Sequence, residues 1–225
     1  MAGPILAMGG GDVLSPSSKL EDCLLELTGR PRPKVGFLPT AAGERPEEIQ
    51  QFYDAFAGRD CERSHLELFG TPEQPAAWVS AQDVVYVCGG NTANALALWR
   101  VHGVDDALRE AWQRGTVLGG WSAGGICWFE SGLTDSFGPQ LSPLRDCLGL
   151  LPGSFCPHFD AEPQRRPLFV SLVREAVLPV GLAADDDAAL LFEGTELREV
   201  VSQRQGARGY RVGVDGETPL EARLL

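Results

Sequence analysis

An α/β fold with a mostly parallel sheet covered on both faces is what this 225-residue sequence predicts, and three observations carry it. Short apolar runs alternate along the chain with amphipathic segments, the pattern of repeated βαβ units. Two of the helical segments, "TANALALWRVHG" and "VDDALREAWQRG", close on glycine, at Gly103 and Gly115, as helices do that end in a left-handed residue. Beyond Pro167 the pattern changes to "AALLFEGTELREVVSQ" and "GYRVGVDGETPLEARLL", which read as short antiparallel strands with turns at Glu193-Gly194 and Asp215-Gly216.

Taken in order, "PILAMGG" is the first strand. Ser18 to Glu21 matches an S-x-x-E capping box, and Leu20, Cys23, Leu24 and Leu27 then follow helical spacing. "VGFLPTA" (Val35 to Ala41) is the second strand, followed by a helix with Ile49, Phe52 and Phe56 on one face. "HLELFG" and "DVVYVCGG" are the next strands, and "TVLGGW" is the last before the stretch "GWSAGGICWFE", where a helix is expected to open. No repeat, low-complexity tract or linker interrupts the pattern, so residues 1–225 are expected to form a single domain.

Bulk properties narrow the function. A formal charge of −12 spreads over the chain, a field that repels nucleic acid and anionic membrane surfaces and argues against both as partners. No apolar run approaches the ~20 residues that span a bilayer. The start "MAGPILAMGGGD" lacks the basic n-region of a signal peptide, so a cytoplasmic location is expected. The six cysteines form no C-x-x-C pair and no metal-like spacing, so they are expected as free thiols packed like small hydrophobes. An exposed sheet end permits a homodimer as readily as a monomer.

Gly120-Trp121-Ser122-Ala123-Gly124 satisfies G-x-S-x-G, the nucleophile-elbow pattern. Glycine-flanked serines are also common in plain turns, but this one follows an apolar strand and precedes a helix signal, the context the motif requires. A turn of this kind packs its flanking backbone so closely that a Cβ would collide, and it leaves the Ala123 N–H facing a developing oxyanion. "VYVCGGNTANAL" is a second strand ending in glycine, where Gly90 N–H is a candidate second donor and Asn91 stands at the helix start. Neither the Walker nor the dinucleotide glycine pattern occurs. A serine needs a base, and the chain offers three histidines. His65 lies in a strand and His102 at a helix end, which leaves His158 in "PGSFCPHFD" as the candidate. For the orienting acid, Asp135, Asp160 and the run Asp185-Asp186-Asp187 stay open.

"GGGD", "FLPTA", "VCGGNT", "GWSAGG" and "CPHFD", in this order, cover about three quarters of the chain, and together they resemble the serine peptidase family S51, which includes dipeptidase E and cyanophycinase. The resemblance implies a flavodoxin-like, class I glutamine-amidotransferase-like sandwich and a serine hydrolase that cleaves small peptides, some with an acidic N-terminal residue, through a Ser-His-acid triad and an acyl-enzyme. It implies Ser122 as nucleophile, His158 as base and the Gly90 and Ala123 amides as the oxyanion hole, and no metal or cofactor. Dipeptidase E takes its acid soon after the serine, nearest Asp135, whereas a cyanophycinase-like acid aligns with Asp186, which is favoured here. Binding an aspartyl side chain needs a cation. Arg165 and Arg166 are the candidates, with Asn91 and Arg165 taken as substrate contacts. Two other readings remain: a cysteine-dependent, amidotransferase-like hydrolase using Cys127 or Cys156, and a catalytically silent binding module for a small ligand.

Overall fold

Short strands of three to seven residues, joined by helices and turns, set the architecture of the computed structural model, which describes residues 2–225. The first half contains β1 (Pro4–Met8), α1 (Lys19–Glu26), β2 (Lys34–Leu38), α2 (Pro46–Ala55), β3 (Glu62–His65), α3 (Pro75–Ser80) and β4 (Val84–Val87). There follow α4 (Thr92–His102), α5 (Val104–Gln113), β5 (Val117–Trp121), α6 (Ala123–Ile126), β6 (Phe129–Thr134), β7 (Ser142–Leu144) and β8 (Leu151–Cys156). The chain continues through α7 (Arg165–Arg174), β9 (Gly181–Ala184), β10 (Ala188–Glu193), β11 (Glu196–Ser202), β12 (Gly209–Gly213), β13 (Gly216–Leu220) and β14 (Ala222–Leu224).

The fold is α/β and flavodoxin-like, as the sequence predicts. Its main sheet runs β14-β11-β10-β1-β5-β4-β2-β3. The stretch from β1 through β5, β4 and β2 to β3 is parallel, and β10 adds antiparallel to β1. β5 therefore lies between β1 and β4, and the carboxyl ends of these three strands open side by side, where open α/β sheets bind ligands. Between β10 and β11 the turn falls at Glu193-Gly194 as expected, while β14 joins β11 in parallel rather than antiparallel. β12 and β13 leave the main sheet for a second one, ordered β13-β12-β9-β8-β6-β7. No described helix is long and apolar enough to cross a membrane.

Aromatic side chains fill the core under the main sheet. Phe37 stacks on Phe52 with ring centroids 4.6 Å apart, and Tyr86 lies 5.2 Å from Trp121. Trp99 is fully buried, its indole N–H donating to Thr40 Oγ1 at 3.1 Å. α5 buries Val104, Ala107, Leu108, Ala111 and Trp112, the i, i+3, i+4, i+7, i+8 stripe of an amphipathic helix. Gly103 (φ 67°) closes α4 in the left-handed conformation that the glycine signal predicts.

Two local expectations are corrected. The strand expected over "HLELFG" sits earlier, at Glu62–His65, because the Glu44 carboxylate takes the amides of Leu68 (2.5 Å) and Phe69 (3.0 Å) out of any ladder. Ser18 is the N-cap of α1, but no capping box forms. Its hydroxyl donates to Gln203 Oε1 at 3.0 Å, and Glu21 turns into the core, accepting from Leu14 N (2.8 Å) and Tyr86 OH (2.7 Å). The helix after the elbow lasts only four residues, since the backbone around Cys127 to Phe129 pairs with Leu148 to Leu151 instead. Ahead of the antiparallel strands, Arg165–Arg174 forms a helix, α7. Pro167 falls in its first turn, where a missing N–H costs nothing.

Glu21 is wholly buried, and its Oε2 has no partner among the described residues, so the Tyr86 hydroxyl is one of few groups offsetting its desolvation. Burial, reinforced by Glu21, holds the Tyr86 hydroxyl well above its usual range and keeps it a donor. Tyr86→Phe is therefore expected to cost about 1–3 kcal/mol of unfolding free energy in a urea titration; an unchanged midpoint would contradict the role given to this bond.

Candidate active site

The end of β1 organises the site. Met8 O accepts from Ser122 N at 3.2 Å, Gly9 N donates to Ala188 O, and Gly10 O accepts from Asp187 N, both at 2.9 Å. Gly10 has φ 148°, and a Cβ built on it would overlap the His158 ring and the Asp186 carboxylate. No other residue type fits there without moving both groups.

Ser122 caps β5 at φ 53°, ψ −112°, a sparsely populated conformation that surrounding packing must enforce at a cost of about 1–3 kcal/mol. The flanking glycines supply that packing. A Cβ on Gly120 would lie 2.6 Å from Gly124 O, and one on Gly124 would overlap Val87 O, the collisions expected of G-x-S-x-G. The amide of Ala123 opens α6 and, like that of Gly90, finds no acceptor within the described residues. Gly90 (φ 129°) is pressed against Ala41 O, which also accepts from Asn91 N at 2.8 Å.

His158 follows β8, also at positive φ (52°). Its Nδ1 lies 2.6 Å from Asp186 Oδ1; an ionised carboxylate only accepts, so Nδ1 carries the proton and Nε2 is left as the ring's acceptor. Both side chains are about four-fifths buried, at 20% and 23% exposed. Gly90, Asn91, Ser122, Asp135, His158, Glu162 and Arg165 line one cleft of about 320 Å³. No hydrogen bond joins the Ser122 hydroxyl to the His158 ring among the described residues; catalytic contacts of this kind often tighten only when substrate binds.

The acid candidates separate by their partners. Asp186 meets the histidine. Asp185 turns the other way, accepting from Arg208 N (3.0 Å) and Tyr210 OH (3.2 Å), and burial with nearby Asp160 pushes its carboxyl up. Burial would raise Asp187 too, but hydrogen bonds from Gln203, the Asp12 amide and Arg204 outweigh it and hold the group below its usual range. Asp160 accepts from Asp186 N at 2.9 Å. Asp135 lines the cleft, exposed, with no bond to the ring.

The other expected residues are also placed. Asn91 caps α4, its Oδ1 accepting from Asn94 N and its Nδ2 donating to Ser136 O, both at 2.9 Å. Arg165 is buried and forked onto Glu162 (2.7 and 3.3 Å), with a third bond to Leu133 O at 3.1 Å. Arg166 is outside the cleft lining, bonded to Glu217 and lying over Phe159 and Tyr210. His65 bonds Tyr53 OH at 2.9 Å, and His102 ends α4. All six cysteines are free and buried. Burial pushes Cys127 well above its ordinary value and Cys156 up to about 12, which keeps both as thiols. Among the described residues no group of three or more His, Cys, Asp or Glu is arranged to hold a metal ion. Glu162 in the cleft and Arg204 behind Asp186 escape the motif reading, since neither belongs to a recognisable pattern.

The sequence profile of peptidase family S51 matches residues 5–200. The chain belongs to peptidase family S51. It is 49% identical to YgaJ, an uncharacterized peptidase of Bacillus subtilis, over 98% of both chains. It is 30% identical to a peptidase E of Shewanella denitrificans, covering 67% of this chain and 66% of that one. Among solved structures, a peptidase from an acI-B1 actinobacterium superposes with a TM-score of 0.74 at 20% identity, over 99% of this chain and 95% of that one. A peptidase E-type protein of Listeria monocytogenes gives 0.63 at 18% identity, over 92% and 100%. The family is one of peptidases, and the flavodoxin-like sheet is common to these structures.

The contact at Gly10 yields a sharp expectation for this S51 chain. Gly10→Ala displaces His158 and Asp186 together and is expected to lower kcat/KM about 10²-fold or more, with an unchanged far-UV circular dichroism spectrum. Activity within error of the unsubstituted protein would contradict the close packing.

Proposed function

We propose that the chain is a serine-type peptidase of small peptides that acts through an acyl-enzyme, with Ser122 as nucleophile, His158 as general base and Asp186 as the acid that orients it. The observation that supports this most is the His158–Asp186 bond, which leaves Nε2 as the ring's acceptor in a histidine that lines the same cleft as Ser122. His158 Nε2 takes the Ser122 proton as Oγ attacks the peptide carbonyl. The amides of Gly90 and Ala123 receive the oxyanion. The C–N bond then breaks, and the leaving amine takes the proton from His158. Water attacks the acyl-enzyme by the same route, releasing the carboxylic acid and restoring Ser122. Losing one oxyanion donor in such sites costs on the order of 3 kcal/mol, so the Gly90 turn carries weight of its own beside the triad.

For substrate binding, Asn91 and Arg165 are the proposed contacts. Arg165 is the one cation among the described lining residues, and Glu162 already occupies its fork. A dipeptidase E-like preference for an acidic N-terminal residue therefore works against that internal pair. A cysteine-dependent mechanism has less support, because Cys127 and Cys156 are buried thiols outside the cleft lining.

Ser122→Ala is expected to abolish hydrolysis of a dipeptide panel without unfolding the protein, and an active Ser122→Ala protein would refute the mechanism. Asp186→Asn is expected to lower kcat about 10⁴-fold, while Asp135→Asn keeps most activity; the reverse ranking would make Asp135 the acid. Glu162→Gln, which frees the Arg165 fork, is expected to raise kcat/KM for Asp-X relative to neutral dipeptides. An unaltered ratio would remove Arg165 as the side-chain contact.

A further inference from the structure

Around the Asp186 backbone lies a cluster that the proposed chemistry does not use. Arg204, in the loop between β11 and β12, donates from Nη2 to Asp160 Oδ2 (2.5 Å) and to Asp186 O (2.8 Å), and from Nε to Asp187 Oδ2 (3.0 Å). Asp160 passes the connection on, its other oxygen accepting from Asp186 N at 2.9 Å. The Asp186 backbone is thus held at both ends, at its carbonyl by Arg204 and at its amide through Asp160. Asp187, the next residue, is tied to the same guanidinium and, through its Oδ1, to Asp12 N (2.8 Å) and Gln203 Nε2 (3.0 Å).

We propose that Arg204 is a positioning residue for the reaction: it fixes the Asp186 backbone so that the carboxylate meets His158 Nδ1, and so sets the ring's orientation toward Ser122. This rests on Asp186 being the histidine's acid.

A lone surface ion pair would be too weak for this task, and Arg204 is 44% exposed along its side chain. The geometry here is different. A planar fork with three acceptors on three residues fixes direction as well as distance. Among the described residues it is also the one arginine or lysine paired with Asp160 and Asp187, whose carboxylates lie around the Asp186 backbone. Without it these like charges repel, and the loop between β9 and β10 has a reason to spread. Arg204 also lies beyond residues 5–200, which the family profile matches.

The test compares Arg204→Met and Arg204→Lys in the full chain with Arg223→Met, which breaks an exposed pair with Glu199 at the far edge of the sheet. Three quantities are read: kcat and KM on a dipeptide, melting temperature, and the low-field proton resonance of the His158 Nδ1–H donated to Asp186. Arg204→Met is expected to lower kcat about tenfold or more with KM little changed, and to broaden or abolish the low-field resonance. Arg204→Lys, which keeps the charge and loses the fork, recovers part of both. Arg223→Met changes neither. Arg204→Met with native kcat and a native resonance overturns the proposal, as do equal losses in Arg204→Met and Arg223→Met that track melting temperature. Loss of the resonance in Arg204→Met, with no form hydrolysing any peptide, refutes the peptidase mechanism and leaves the clamp standing.

Discussion

At the end of β1 the chain passes between three loops with no room for a side chain, and each candidate catalytic group leans on that passage. Met8 O holds the Ser122 amide, the space a Gly9 Cβ would need is filled by Asp185 O, and the space at Gly10 is filled by the His158 ring and the Asp186 carboxylate. Segments from four parts of the chain therefore share one small volume. Small displacements there propagate to the serine, the imidazole and the acid at once, because close-packed interiors transmit strain rather than absorb it.

The same region concentrates unusual backbone. Ser122, His158 and Asp187 are all non-glycine residues at positive φ (53°, 52° and 65°). Each such residue costs of order 1–3 kcal/mol and persists only where its surroundings over-determine it. Those surroundings are visible: glycine backbones press on Ser122, Phe159 N bonds Ala184 O beside His158, and Asp187 is held by Gly10 O, Gln203 and Arg204. Three consecutive aspartates thereby take three separate tasks. Asp185 is buried against Tyr210, Asp186 meets the histidine, and Asp187 ties the turn to β1 and β11.

Much of this was legible in the sequence because it follows from local rules. The alternation of strands and helices, the glycine stop at Gly103, the N-cap at Asn91 and the tight turn around Ser122 depend on a few neighbouring residues. What escaped depends on distant partners. Ser18 and Glu21 have the spacing of a capping box, yet Gln203 and Tyr86 offer them better partners from across the fold. Strand β6 has no clear alternation because five of its six residues are buried, so neither of its faces reads as polar. Arg165 and Arg166 look like a surface pair, but one is buried against Glu162 and the other lies on two aromatic rings. In "SQRQGARGY" nothing distinguishes Arg204 from a solvated charge; its meaning appears only when Asp160, Asp186 and Asp187 surround it.

The proposed chemistry stands on one step, in which the hydroxyl perched at the end of β5 is made nucleophilic by the imidazole lining the same cleft. Reaction of the native protein with a fluorophosphonate, followed by mass mapping of the modified peptide, tests it most directly. A single adduct on Ser122 is expected, formed quickly in the native protein and much more slowly when His158 is replaced by Ala. Hydrolysis of peptides by a protein whose Ser122 stays unmodified, or an adduct rate indifferent to His158, would contradict it.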